Sequence, residues 1–245
     1  MGGGFVPHEI EWTREKSSRL WNYFTSSGAR DDWHFSRQAG GSVLDFVQRY
    51  ISLKGNILDY GCGPGFLMQG LIKRGIPCEG VELAVCAAQA ARARLSPYDK
   101  FGGVTVVEKM PTPFEDERFD VVFLIETLEH LLPDELIEIL EDIRRILRKG
   151  GYIVATTPNG ENLESSKVIC PDCGCIFHRG QHLSSWTTTG LSSLMENVGF
   201  ARVACEATKF GAKRGLRRSI SHVLRKIRKR KCPHLIYIGR KSARK

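Results

Sequence analysis

No apolar run in the sequence approaches the roughly 20 residues that a membrane-spanning helix needs. The first residues, MGGGFVPHEIEW, carry no apolar signal-peptide core. Gly2 is followed by Gly3, Gly4, Phe5 and Val6, without the Ser or Thr that myristoylation wants. A cytoplasmic protein is the expectation. A disulfide framework is missing too: Cys62, Cys78, Cys86, Cys205 and Cys232 are scattered, as reduced thiols are. No internal repeat is evident, and no low-complexity segment stands outside the C-terminal tail. That tail lacks acid altogether. Residues 207–245 hold 15 Lys and Arg and no Asp or Glu, whereas residues 1–206 hold 21 basic against 27 acidic side chains. The formal charge of +9 therefore hides an acidic body and a basic end suited to something anionic.

What is present suffices for a full core: 245 residues, 42% apolar and 26% charged. From residue 55 onward apolar runs and helical periodicity alternate. Strands are predicted at 56–60, 78–82, 104–108, 119–125 and 152–157, with helices near 65–74, 84–95 and 134–148. In the last helix Leu136, Leu140, Ile143 and Leu147 share one face, and Lys149-Gly150-Gly151 reads as its end. A helix at 187–197, ended by Gly199, and strands at 200–207 and 234–240 follow. The alternation predicts an α/β fold, a doubly wound, mostly parallel seven-stranded sheet with helices on both faces. Residues 1–50 read as an aromatic-rich N-terminal helical cap and 51–159 as the ligand-binding α/β core. Residues 160–186 read as an irregular Cys/His insertion near the active site. Residues 187–245 read as the end of the core, including a basic amphipathic helix and the last strand.

The stretch that organises these elements is Asn56 to Gly70. Ile57 and Leu58 lead into Asp59-Tyr60-Gly61-Cys62-Gly63-Pro64-Gly65, and a helix follows. Glycines let a ligand approach the chain, and the helix start offers free N–H groups. Glu82 closes the second predicted strand, where an acid can accept both hydroxyls of a ribose. Asp59, Gly61, Gly63 and Gly65 form D-x-G-x-G-x-G, and the G-x-G-x-x-G of dinucleotide oxidoreductases is not met. The pattern resembles class I S-adenosylmethionine (SAM)-dependent methyltransferases over about residues 43–240. FDVVFLIETLEHL, LRKGGYIVATTPN and the final strand extend the likeness. The resemblance implies that Gly61, Gly63 and Gly65 cradle the methionine part of SAM, Asp59 supports the loop and Glu82 holds the ribose. It also implies that the closing strand runs antiparallel to its neighbours.

Glu126-Thr127-Leu128-Glu129-His130 follows the strand at 119–125, at the sheet edge where the methyl acceptor belongs. This E-x-x-E-H resembles the ubiquinone-biosynthesis O-methyltransferases and the small-RNA 3′-end 2′-O-methyltransferases. Both act on one of two adjacent hydroxyls with metal help. In the RNA enzymes a later histidine completes the site, and His182 occupies that place here. Glu126, Glu129, His130 and His182 are therefore candidate Mg²⁺ ligands, the ion lowering the pKa of the acceptor hydroxyl. Without metal, His130 or His182 is the candidate general base. A role for Glu126 and Glu129 in ordering the loop stays open beside these.

Cys170, Cys173, Cys175, His178 and His182 form a second candidate metal set. Cys170, Cys173, His178 and His182 have the spacing C-x₂-C-x₄-H-x₃-H, which offers four tetrahedral Zn²⁺ ligands. His182 does not serve both ions, so Cys175 with Cys170, Cys173 and His178 is the alternative set. An unmetallated loop over the active site is the other reading. In the basic tail Leu216, Ile220, Val223, Leu224 and Ile227 share one helical stripe among arginines and lysines. It suits peripheral contact with an anionic membrane, a nucleic-acid backbone, or packing on the sheet with its charges solvated. The expected function is methyl transfer to a hydroxyl of a small-molecule or lipid-linked acceptor. The alternatives are RNA 2′-O-methylation, C-methylation with a histidine base, and a non-catalytic SAM-binding module.

Overall fold

The computed structural model describes residues 5–28, 31–211 and 232–243. The short strand β1 (His8–Glu9) precedes α1 (Arg14–Ser26), whose N-cap Thr13 accepts from the Lys16 N–H. After α2 (Phe35–Val47) the alternating core begins with β2 (Ile57–Tyr60), α3 (Phe66–Ile72), β3 (Cys78–Glu82), α4 (Val85–Leu95) and β4 (Phe101–Val106). It continues with β5 (Phe119–Ile125), α5 (Pro133–Ile146) and β6 (Leu147–Pro158). An insertion carries β7 (Lys167–Ile169) and β8 (Cys175–His178), and α6 (Thr188–Val198), β9 (Phe200–Thr208) and β10 (His234–Lys241) complete the chain.

The main sheet has the order β4-β3-β2-β5-β6-β10-β9. The first five of these strands run parallel, and β10 is antiparallel to both β6 and β9, as expected of the closing strand. In β5 the side chains alternate between two cores. Val121, Phe123 and Ile125 join the cluster that includes Val43, Leu44, Leu67, Leu71 and Ala88. Val122 and Leu124 join Leu140, Ile143, Leu191 and Met195 on the opposite face. A strand covered on both faces has no polar side, which is why VVFLI, after Asp120 at the strand's start, reads as one apolar run. Each fully buried Leu or Phe contributes roughly 1.5–3 kcal/mol to this arrangement.

Three expectations are corrected. The helix expected at 134–148 stops at Ile146, because Leu147 turns to an extended backbone and starts β6. Lys149-Gly150-Gly151 therefore lies in the strand and does not end the helix. The strand expected at 104–108 begins earlier, at Phe101. The insertion is not irregular: β7 and β8 pair antiparallel, and β1 joins β8 in parallel to make a separate three-stranded sheet. The His8 N–H donates to the Gly174 carbonyl and the Ile10 N–H to the Ile176 carbonyl. Trp12 meets Phe177 edge to face, and Lys167 pairs with Glu9 at 2.8 Å. The N-terminal segment is thus bound to the insertion by backbone, aromatic and ionic contacts together. The basic amphipathic helix expected from the tail falls at 212–231 and lies outside the described residues. No helix among the described residues is long and apolar enough to cross a membrane.

Candidate functional site

Parallel strands bring their C-terminal ends to one edge, and the loops after β2, β3 and β5 meet there around a cavity of about 500 Å³. The Gly61 and Cys62 N–H groups both donate to the Val81 carbonyl, tying the glycine loop to β3. Gly65 starts α3 with φ of 80°, and a Cβ there would come within 2.9 Å of Leu95 and 3.1 Å of Ala91. At Gly63 (φ 51°) a Cβ would meet nothing within 4 Å. The first glycine serves packing of α3 on α4; the second leaves backbone open to whatever occupies the cavity.

Glu82 holds this loop from the other side. Its carboxylate accepts from the N–H groups of Gly63 at 2.7 Å, Leu83 at 2.8 Å and Ala84 at 2.9 Å. Burial raises its pKa against the opposing pull of these three donors. Asp59 lies beneath the loop, 2% exposed. Burial pushes its carboxyl up to about 8, with the Glu82 charge adding to the shift. At neutral pH Asp59 is therefore mostly protonated, a neutral prop under the loop.

At the end of β5 the backbone is strained. Glu126 takes φ of 47°, a left-handed conformation unusual for its type, while its N–H donates to the Thr156 carbonyl at 3.0 Å. A single 3₁₀ turn, Leu128–His130, then brings Glu129 and His130 back to the cavity. Glu129 is 1% exposed; its Oε2 accepts from the Thr157 hydroxyl at 3.0 Å, and its Oε1 has no hydrogen-bond partner. Glu126 Oε1 is likewise buried and unpartnered. Burial pushes Glu126 up to about 7 and raises Glu129 as well, with the Glu126 charge adding to the latter. Burial, then the neighbouring His182, drives His130 down to about 3.

His130 Nδ1 faces the Gln181 carbonyl at 3.2 Å. Facing an oxygen, that nitrogen carries the proton, and Nε2 keeps its lone pair. Donor atoms of Glu129, His130 and His182 all lie within 4.8 Å of one another. The unpaired Glu129 oxygen beside a neutral imidazole lacks a donor, and a divalent cation fits the set of Glu129, His130 and His182, with which Glu126 is not grouped. Imidazole suits ions such as Fe²⁺ or Zn²⁺ and carboxylate suits Mg²⁺ or Mn²⁺, and this set offers both kinds of ligand.

The Cys/His set is divided by the structure, which corrects the zinc grouping. His178 is buried against His182, their rings stacked at 4.5 Å, and its Nε2 lies 3.5 Å from Glu161 Oε1. Cys170, Cys173 and Cys175 line a separate apolar hollow with Ile10, Trp12 and Phe177. Among the described residues, the grouped ligand atoms of His178 are those with Glu161 and His182, not with a cysteine. Backbone N–H groups of Cys173 and Asp172 lower the Cys170 thiol.

Two residues were not singled out from the sequence. Gln181 is fully buried with φ of 58°. Its side chain accepts from Trp21 Nε1 at 2.7 Å and donates to Ser17 Oγ at 2.9 Å and to the His130 carbonyl at 3.0 Å. It therefore joins α1, the insertion and the 3₁₀ turn. Glu161, just beyond β6, contacts both His178 and His182. Both stand in loop segments that carry no periodicity, so nothing in the sequence marks either one. The N-terminal cap supplies Trp21, Phe24, Trp33 and Phe35 to the cavity wall.

A family described as "Methyltransferase domain" matches residues 33–204. The ubiquinone biosynthesis O-methyltransferase of Alkalilimnicola ehrlichii is 32% identical over 121 residues, 47% of this chain and 47% of that protein. That of Histophilus somni is 26% identical over 160 residues, 62% of this chain and 64% of that protein. The chain thus spans about half to two thirds of these curated relatives. Among solved structures, the 1,6-didemethyltoxoflavin-N1-methyltransferase of Burkholderia thailandensis, with bound 1,6-didemethyltoxoflavin and S-adenosylhomocysteine, superposes with a TM-score of 0.64. It is 17% identical, with 97% of this chain and 94% of that one covered, which is a likeness of fold.

Proposed function

Because the chain belongs to the methyltransferase-domain family, and with it to the enzymes that take their methyl group from SAM, we propose that it methylates a hydroxyl oxygen. The acceptor is a small or lipid-linked molecule that carries a second oxygen beside the reacting one. The observation that carries this reading is one cavity with two chemistries. It is lined by Glu82 and the glycine loop, and also by Glu126, Glu129, His130 and His182. The names of the curated relatives support oxygen as the acceptor atom.

In this reading Gly61, Gly63 and Gly65 hold the methionine part of SAM, and Glu82 accepts from the ribose hydroxyls. Asp59, neutral under the loop, keeps its backbone in place. SAM supplies a methyl group already activated by the sulfonium, so the chain's task is positioning and deprotonation. Glu129, His130 and His182, with Glu126 near Glu129, would hold a divalent ion, and such an ion would supply a lowered pKa for the acceptor hydroxyl. The lone pair on His130 Nε2 is free to ligate or to take the hydroxyl proton. Trp21, edge-on to His130 at 4.8 Å, keeps that ring in one orientation. The aromatic wall excludes water from the transferring methyl group.

The test is formation of S-adenosylhomocysteine from SAM with a panel of ortho-dihydroxy aromatic compounds, with Mn²⁺, with Mg²⁺ and with EDTA. Product with Mn²⁺ and its loss in EDTA is the expected result. Equal turnover of mono-hydroxy analogues, or full activity in EDTA, would overturn the metal-assisted reading.

A further inference from the structure

His182 has two ring nitrogens, and Glu161 stands beside one of them. Glu161 Oε2 is in close contact with His182 Nδ1. Its other oxygen, Oε1, faces His178 Nε2 at 3.5 Å. His178 is 6% exposed, and its Nδ1 accepts two backbone N–H groups, from Gly180 at 3.1 Å and from His182 at 3.1 Å. A nitrogen that accepts two N–H groups carries no proton, so the proton of neutral His178 is on Nε2, which lies near Glu161 without a hydrogen bond to it. This argues against a metal held by Glu161, His178 and His182 together, although their ligand atoms also lie within 4.8 Å of one another. The lone pair such an ion needs from His178 is on the wrong nitrogen.

The same geometry has a different use. A carboxylate in contact with His182 Nδ1 keeps the proton on that nitrogen and the lone pair on Nε2. The two residues just before Glu161 are anchored to other parts of the chain. The Gly160 N–H donates to the Trp186 carbonyl at 2.8 Å, Asn159 bridges to Trp186, and the Asn159 side chain donates to the Cys232 carbonyl at 2.8 Å. His130 is prepared in the same way, by the Gln181 carbonyl on its Nδ1.

We infer that Glu161 is a positioning residue: in contact with His182 Nδ1, it fixes the tautomer and orientation of His182 so that the Nε2 lone pair joins Glu129 and His130 at the acceptor site. This deepens the proposed metal-assisted function and rests on it for the use of that lone pair, but not for the tautomer itself. Carboxylate partners on the outer nitrogen of a ligating histidine typically matter 10–100-fold in metal affinity or activity.

The experiment uses the full chain labelled with ¹⁵N-histidine and freed of metal. Long-range ¹H–¹⁵N correlations report which nitrogen of each ring carries the proton. Wild-type His182 is expected as the neutral Nδ1–H form and His178 as Nε2–H. Glu161→Ala is expected to lose the Nδ1–H preference of His182, while Glu161→Gln, which keeps an acceptor oxygen, retains it. Mn²⁺ titration by calorimetry is expected to show about 10–100-fold weaker binding for Glu161→Ala and a smaller loss for Glu161→Gln. A wild-type His182 found as Nε2–H or as imidazolium overturns the inference without any variant. So does an Nδ1–H form that persists in folded Glu161→Ala. Absence of Mn²⁺ binding by the wild type would instead sink the metal reading, leaving the tautomer result to decide the role of Glu161.

Discussion

Replacing Glu82 by Gln tests the SAM loop at its most constrained point. The carboxylate accepts three backbone N–H groups, two on Oε1 and one, from Gly63, on Oε2. Glutamine keeps one oxygen for Leu83 and Ala84 and turns an NH₂ toward the Gly63 N–H. One hydrogen bond to a charged group is lost, worth about 1.5–3 kcal/mol, and two donors then face each other. The loop relieves the clash by moving Gly63, the glycine whose Cβ position opens onto the cavity. Converted at about 1.4 kcal/mol per tenfold, affinity for S-adenosylhomocysteine falls on the order of 10–100-fold. Calorimetric titration measures it, with circular dichroism confirming that the variant is folded. Glu82→Asp, whose shorter side chain does not span from β3 to Gly63, should lose affinity as well. A folded Glu82→Gln variant that binds within about threefold of wild type would refute the assignment of Glu82 to the ligand loop.

Asp59 predicts a pH effect on stability. Its folded value of about 8 stands above the ordinary 3.8, so between these the folded carboxyl keeps a proton that the unfolded chain releases. Stability therefore declines as pH rises from about 4 to about 8, by an amount on the order of several kcal/mol. Denaturant titrations of Asp59→Asn should show a flatter profile over that window, and parallel curves would contradict the buried neutral form. Gln181→Leu removes three buried side-chain hydrogen bonds and leaves Trp21 Nε1 without its acceptor; a loss of about 3–5 kcal/mol is expected in chemical denaturation. A loss below about 1 kcal/mol would mean that α1 is not held through this residue. For the basic tail, charge removal at Arg225, Lys226, Arg228 and Lys229 should weaken binding to vesicles rich in anionic lipid by about 1 kcal/mol per residue. Wild-type binding to the same vesicles that ignores added salt would exclude an electrostatic attachment.

The sheet was legible because its signals are local. Ile57 and Leu58 before the glycines, the apolar run of β5, and Gly199 after α6 each announce an element within a few residues. Thr187, expected as the first residue of that helix, caps α6 instead, accepting from the Gly190 N–H. The acidic turn was legible as a motif, and Glu129, His130 and His182 do converge. What was missed depends on contacts between distant segments. β1 is two residues long and is extended only because β8 lies beside it. C-x₂-C-x₄-H-x₃-H looks like one ligand set along the chain, but β8 carries Cys175 toward Trp12 and delivers His178 to Glu161. Spacing reports distance along the chain and not which wall of a hairpin a side chain reaches. Ile146 ended its helix early for a similar reason: Leu147 is drawn into register with Phe119, and tertiary pairing prevailed over helical periodicity.

The pairing of β1 with β8 sets an order of assembly. His8 meets Cys175 and Glu9 meets Ile176 across most of the length of the protein, whereas the glycine loop and Glu82 close within a span of about twenty residues. Contacts of long sequence separation cost more loop-closure entropy and form later in folding. During synthesis the methyl-donor half therefore takes shape while the eventual clasp of the other half, already emerged, waits for its mate. A ribosome-stalled chain ending before residue 170 would hold the nucleotide pocket's framework with its acceptor chamber unbuilt.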